Sequence, residues 1–229
     1  MFEADPQRDL PFLGINMVAS VDGKATLGGR VGALTSADDQ AELHALRAEA
    51  DAVLVGASTV RREGYGRLLP DELREDREAR GLPREPLLCI ASASLRIDPD
   101  VDALRETGPR PLLVLTSADG RLPGDPAEVE YLQGHATDGR LEFAPLLRRL
   151  KAEHGVGKVV CEGGPTLNGT LFAEGLVDAV FLSVSPWIAG AGESLTIVAG
   201  APLREPVRLR LGSAAEVNGL ALLRYQVER

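Results

Sequence analysis

Short apolar runs alternate along this chain with segments patterned as helices, and that alternation restricts the fold more than any other feature. The runs are residues 12–20 (FLGINMVAS), 52–56 (AVLVG), 86–91 (PLLCIA), 111–116 (PLLVLT), 159–162 (VVCE) and 179–185 (AVFLSVS). Most are too brief for a helix and lack a polar alternation, as expected of strands buried on both faces. Between them, Ser36 precedes Ala37-Asp38-Asp39-Gln40, a hydroxyl N-cap with acids in the first turn. That helix is expected to reach about Glu49, with Leu43, Leu46 and Ala50 inward. Another short helix is expected from Ser58-Thr59. Phe143, Leu146, Leu147 and Leu150 follow the i, i+3, i+4, i+7 rule on a third, which Gly155 ends, and residues 165–174 form a fourth. The pattern predicts an α/β fold with a mostly parallel central sheet flanked by helices.

The C-terminal stretch reads differently. Val207, Leu209 and Leu211 alternate with arginines, Asn218-Gly219 signals a turn, and residues 221–227 (ALLRYQV) return. An antiparallel hairpin closing one sheet edge is expected. Residues 64–86 carry many charges and several prolines and read as an exposed excursion. With no internal repeat and no linker, residues 1–229 are expected to form a single domain, with 1–11 a flexible N-terminal extension.

Composition excludes several functions. The 25 Lys plus Arg face 34 Asp plus Glu, a formal net charge of −9, which repels a phosphate backbone. Arg61, Arg62, Arg74, Arg77 and Arg80 alternate with acids and form no basic patch, and aromatic residues make up 4%, too few for stacking platforms. The expectation is no nucleic-acid partner. The start, MFEADPQRDLPF, lacks the apolar core of a signal peptide, and no run nears the ~20 residues that span a bilayer. A cytoplasmic protein without a membrane partner is expected. Cys89 and Cys161 lie in strand-like runs and are expected as buried free thiols. His44, His135 and His154 have no spacing that builds a metal site, so no metal is expected.

Two strand-to-helix junctions carry the chemistry. In KVVCEGGPTL (158–167) an apolar strand runs into Gly163-Gly164, and Pro165 suits a first helical position, where its missing N–H is not needed. The glycines admit a ligand close to the backbone, and the exposed N–H groups of the helix start attract phosphate. A tight turn needing glycine only for its dihedrals is the plainer reading. In VLVGAST (53–59) Gly56 ends the strand and Thr59 offers a hydroxyl to a phosphate, or simply caps the helix. Two such junctions in one parallel sheet suit the two halves of a dinucleotide.

The ordered segments ASVDGKA (19–25), LTS (34–36), HALR (44–47), ADAVLVGASTV (50–60) and CEGGPTLNGTLFAEGLVDAVFLSVSPWIAG (161–190) resemble the riboflavin-biosynthesis pyrimidine reductases. The likeness is to the C-terminal reductase domain of the bifunctional deaminase-reductases, which has the dihydrofolate-reductase-like fold. It implies an NADPH-dependent reductase that converts 5-amino-6-(5-phosphoribosylamino)uracil to the ribitylamino compound, and a homodimer. By that resemblance Gly163, Gly164, Pro165, Thr166 and Leu167 hold the pyrophosphate and nicotinamide end of NADPH. Gly56 and Thr59 hold the other phosphate side, and Ser92 and Arg96 meet the adenosine 2′-phosphate, which suits a guanidinium. Lys24 matches the active-site lysine, Glu162 binds the pyrimidine or tunes a proton transfer, and Thr35, Ser36 and Arg47 face the ribose phosphate. A solvent-facing Lys24, an ion-paired Glu162 and a Ser36 that only caps its helix are the structural alternatives.

One stretch departs from the family pattern. Where the family carries an acid followed by Asn-Pro, this chain has Arg62-Glu63-Gly64-Tyr65-Gly66-Arg67. Glu63 keeps the carboxylate and Arg67 joins the expected substrate contacts, but the altered loop leaves dihydrofolate or another pterin-like heterocycle open as substrate. A non-catalytic NADPH sensor is the remaining alternative. The deaminase zinc ligands, His-Ala-Glu and Pro-Cys-x-x-Cys, are not in this sequence, so no deamination is expected. Asn168-Gly169-Thr170 fits a glycosylation sequon but falls in an expected helix and is set aside. Gly190-x-Gly192 reads as a loop, and Trp187 as either a subunit contact or a core residue.

Overall fold

The computed structural model describes residues 7–105, 112–122, 129–192, 195–200 and 202–229. In chain order its elements are β1 (Phe12–Ser20), α1 (Ala37–Glu49), β2 (Ala52–Gly56), α2 (Ala57–Glu63), α3 (Asp71–Ala79), β3 (Leu87–Ala91), α4 (Asp102–Arg105) and β4 (Leu112–Thr116). There follow β5 (Val129–Gln133), β6 (Ala136–Thr137), β7 (Arg140–Leu141), α5 (Phe143–His154), β8 (Lys158–Cys161) and α6 (Pro165–Ala173). The last three are β9 (Ala179–Ser185), β10 (Leu209–Val217) and β11 (Leu220–Val227). The chain packs as two compact units, one built on His44–Val160 and the other on Leu13–Leu43 with Cys161–Arg229.

In the first unit the strands lie in the order β8-β2-β3-β4-β5. Pairing from β2 through β5 is parallel, and every residue of β2 and β4 is buried. Their unbroken apolar sequences are therefore strands covered on both faces. On α5, Phe143, Leu146, Leu147 and Leu150 are all buried, and Gly155, at φ 68°, is the left-handed C-cap.

The 64–86 stretch is only partly the exposed excursion expected. Tyr65, Leu68 and Leu69 are buried, and α3 carries Arg77, which is 0% exposed. The Arg77 guanidinium donates to the carbonyls of Ala48, Ala50 and Pro83, each at 2.8 Å. Those first two oxygens close the C-terminal turn of α1, where carbonyls have no intrahelical donor. Charge density suggested solvent; a guanidinium with five donors can instead be buried where several carbonyls converge. Among the residues expected to be flexible, Asp9 pairs with Arg148 and the Arg8 carbonyl accepts from Lys151. Residues 1–6 and Pro111 lie outside the described residues.

The second unit has the strand order β10-β11-β9-β1. β1 runs parallel to β9, with Ser20 opposite Ser185, so the C-terminal ends of both strands are level. β11 is antiparallel to β9 and to β10. Asn218 (φ 51°) and Gly219 (φ 83°) make the two-residue turn between Val217 and Leu220, as the Asn-Gly signal predicts.

Candidate active site

In the second unit the candidate residues sit on segments that leave the C-terminal ends of β1 and β8. After β1 the chain makes a tight loop in which the Ser20 N–H donates to the Lys24 carbonyl at 2.9 Å and the Gly23 N–H to the Ser20 carbonyl at 2.9 Å. The Val21 N–H reaches the Trp187 carbonyl at 2.8 Å, and the Ala25 N–H reaches the Leu195 carbonyl at 2.9 Å. Lys24 is half-buried on this loop. Its backbone N–H and carbonyl are both bonded to Ser20.

After β8, Glu162 is buried and Gly163-Gly164 carries the chain into α6 across a cis peptide. Gly163 has φ 84°, and a Cβ there would stand 3.1 Å from the Met17 sulfur on β1. The positive φ favours glycine, and any side chain there would also press on Met17. Gly164 is the N-cap, contributes no side-chain bond, and is followed by Pro165 in the first helical turn. The first-turn N–H groups of Thr166 and Leu167 thus have no side-chain cap competing for them, which is the arrangement that accepts a phosphate. The residues present therefore fit a dinucleotide's pyrophosphate.

One residue that sequence reasoning set aside organises this turn. Asn168 is fully buried; its Nδ2 donates to the Ile197 carbonyl at 2.8 Å, and the Cys161 sulfur lies 3.6 Å from its Oδ1. The Ala199 N–H donates to the Pro165 carbonyl at 3.0 Å. Residues 195–199 thus form a strap tied to the Lys24 loop at one end and to the first turns of α6 at the other. No periodicity announces it. The burial of Asn168 also makes the sequon inaccessible. Burial pushes the Cys161 thiol up to about 12, so it has no thiolate character near neutral pH. Cys89 is also buried and forms no disulfide.

Ser36 caps α1: its Oγ accepts from the Asp39 N–H at 3.2 Å. Thr35 is half-buried beside it. Trp187 is 56% exposed, which removes the core reading. Gly190 lies in a loop, as expected.

The first unit holds the remaining candidates. Gly56 is the N-cap of α2, which starts at Ala57, one residue before the expected Ser58; Thr59 is half-buried in its first turn and makes no cap bond. Ser92 is buried after β3, its N–H on the Leu115 carbonyl at 2.9 Å. Arg96 is exposed, and its carbonyl accepts from Arg61 at 2.6 Å, so α2 holds the 92–96 loop in place. In the altered loop Glu63 is exposed. Arg47 is buried, donates to the Leu68 carbonyl at 2.9 Å and lies 5.6 Å from the Tyr65 ring centroid. Tyr65 thus fills space against Arg47. Arg67 is exposed and bonds both oxygens of Asp71 at 3.1 Å.

A family model described as the RibD C-terminal domain matches residues 11–220. Over 226 residues the chain is 27% identical to a protein of Methanothermobacter thermautotrophicus named 2,5-diamino-6-ribosylamino-4(3H)-pyrimidinone 5′-phosphate reductase, covering 95% of this chain and 99% of that one. It is 28% identical to the Archaeoglobus fulgidus protein of the same name, with 87% and 91% covered. Among solved structures it is similar to a pyrimidine reductase-like protein from Corynebacterium diphtheriae, at TM-score 0.79 and 26% identity, covering 96% and 92%. The expected fold class is therefore the observed one: mixed α/β, mostly parallel, with antiparallel C-terminal strands and the dihydrofolate-reductase-like arrangement.

Proposed function

This chain belongs to the RibD C-terminal domain family and is an oxidoreductase of riboflavin biosynthesis, and on that premise we propose its cofactor and substrate. NADPH is the cofactor, and 5-amino-6-(5-phosphoribosylamino)uracil is reduced to the ribitylamino compound. The chain works as one cytoplasmic reductase domain, on the strength of its sequence pattern, and as a homodimer, on the strength of the family resemblance. The observation that carries the cofactor reading is the uncapped start of α6 directly behind buried Glu162, with glycine at both positions of the turn.

When bound, NADPH supplies a hydride to C1′ of the opened sugar, drawn as an imine. By the family resemblance, the N–H groups of Thr166 and Leu167 would hold its pyrophosphate, Gly56 and Thr59 would serve the other phosphate side, and Ser92 and Arg96 would take the 2′-phosphate. The imine nitrogen must gain a proton as C1′ is reduced, and Lys24 supplies or stabilises it. Glu162 orients the pyrimidine through its amino and N–H groups or relays that proton. Glu63 adds a second carboxylate, and Thr35, Ser36, Arg47 and Arg67 hold the ribose phosphate.

A second reading concerns the pyrimidine ring. The Methanothermobacter relative, matched over 95% of this chain, is named for the 2,5-diamino form, not the uracil. Loss of nicotinamide absorbance should be measured with the aminouracil, the diaminopyrimidinone and dihydrofolate in parallel. Turnover of the first supports the primary reading, and turnover of the second alone transfers the assignment to the diamino compound. Oxidation with dihydrofolate alone sinks both, and binding of NADPH without oxidation by any of the three indicates a sensor.

A further inference from the structure

Asp22 lies between Ser20 and Lys24 and belongs to none of the roles assigned above. Its Oδ1 accepts the Ser20 hydroxyl at 2.6 Å and the Ala189 N–H at 2.9 Å, and its Oδ2 accepts the Gly190 N–H at 2.8 Å. The Ser20 oxygen in turn accepts the Lys24 N–H at 2.9 Å. A continuous chain of hydrogen bonds therefore runs from the loop after β9, through one carboxylate and one hydroxyl, to the backbone of Lys24.

We propose that Asp22 is a positioning residue for the reduction: through the Ser20 hydroxyl it fixes where the Lys24 backbone stands relative to the 189–190 segment. This rests on the reading of Lys24 as the group that meets the reacting imine. The geometry suits the task. A carboxylate offers two oxygens and accepts only, so it can gather an O–H and two N–H donors at once. An asparagine would offer one oxygen and turn an N–H donor toward another N–H. Ser20 is 2% exposed, so its hydroxyl has no competing water and its single proton goes to Asp22. The three hydrogen bonds, that of Ser20 foremost, hold the Asp22 carboxyl down at about 2, so the carboxylate persists throughout the range in which the enzyme would work.

A positioning role differs from a merely structural one in being coupled to Lys24, and a double-mutant cycle reads that coupling. Asp22→Asn and Ser20→Ala are each made in the native chain and in Lys24→Met, with kcat, KM, NADPH binding by fluorescence and the thermal melt recorded for all. Each substitution should lower kcat by roughly tenfold when Lys24 is present and by less than about twofold when it is absent, with NADPH affinity unchanged. Should Asp22→Asn fail to fold, Ser20→Ala carries the test, since it breaks the relay while leaving the Ala189 and Gly190 contacts. Equal losses in both backgrounds overturn the proposal and leave the reading of Lys24 standing. Full turnover by Lys24→Met overturns that reading, and the proposal with it.

Discussion

The carbonyl oxygen of Ala199 lies 2.0 Å from the place a Cβ on Gly169 would occupy. No side chain fits there, and the obstacle is backbone, so the strap at 195–199 rests directly on α6. Gly169→Ala would gain about 1 kcal/mol of helix propensity. It must also displace the strap, together with the Asn168–Ile197 and Ala199–Pro165 bonds. Overpacking of this kind costs about 2 kcal/mol or more. A net loss of stability is expected, read as a lower urea midpoint; an unchanged midpoint would show that the strap yields freely.

Arg77 offers a second stability test. Its guanidinium satisfies the carbonyls of Ala48, Ala50 and Pro83 in a site without solvent. Arg77→Ala removes those donors and leaves buried oxygens unpaired, at a cost of about 3 kcal/mol. Arg77→Lys should recover only part of this, because one ammonium cannot reach three carbonyls in fork geometry. Equilibrium denaturation of both variants checks the order native, lysine, alanine.

Asp39 should shape the pH dependence of stability. Burial raises its pKa above the ordinary aspartate value of 3.8, against the opposing hydrogen bond from Ser183, and Glu42 raises it further. The unfolded chain thus gives up this proton first as the pH climbs. From about 3.8 up to the folded pKa the native state holds more protons, so stability falls with rising pH and stays lower above that window. Asp39→Asn should therefore be at least as stable as the native protein at pH 7, and its relative advantage should shrink below pH 4. Thermal melts across that range giving the reverse trend would refute the assignment.

Lys24→Met and Glu162→Gln are expected to lower kcat by about 100-fold or more, the usual scale for groups that move protons. NADPH affinity should stay within a few-fold, because neither side chain is assigned to the cofactor. Stopped-flow binding alongside steady-state turnover separates the two quantities, and a large loss of affinity would mean that these residues hold NADPH.

Cofactor selectivity tests the 92–96 loop. Arg96→Ala should weaken NADPH about tenfold while leaving NADH binding alone, as expected for one charge-assisted contact to a phosphate. Arg61→Ala removes the bond to the Arg96 carbonyl and should weaken NADPH by a smaller factor. Equal weakening of both dinucleotides would place Arg96 away from the 2′-phosphate.

Local rules were enough for much of this molecule. Apolar runs buried on both faces can only be interior strands, so β2 and β4 were legible, as was α5 with its four inward residues and its glycine cap. Asn218-Gly219 made its turn because two successive positive φ angles suit those residues best. The glycine pair before α6 was equally plain. What residue order could not reveal were contacts between segments far apart in the chain. The donation from Arg77 to carbonyls near the end of α1 spans 27 to 29 positions, the clasp from Asp22 to Ala189 and Gly190 spans 167 and 168, and the Asn168–Ile197 bond spans 29. Each depends on where unpaired backbone groups come to rest once the strands are ordered, and hydrophobic periodicity carries no record of that. A charged residue in a polar stretch therefore looked solvated, and an asparagine inside a sequon looked incidental, until folding supplied the partners that buried them.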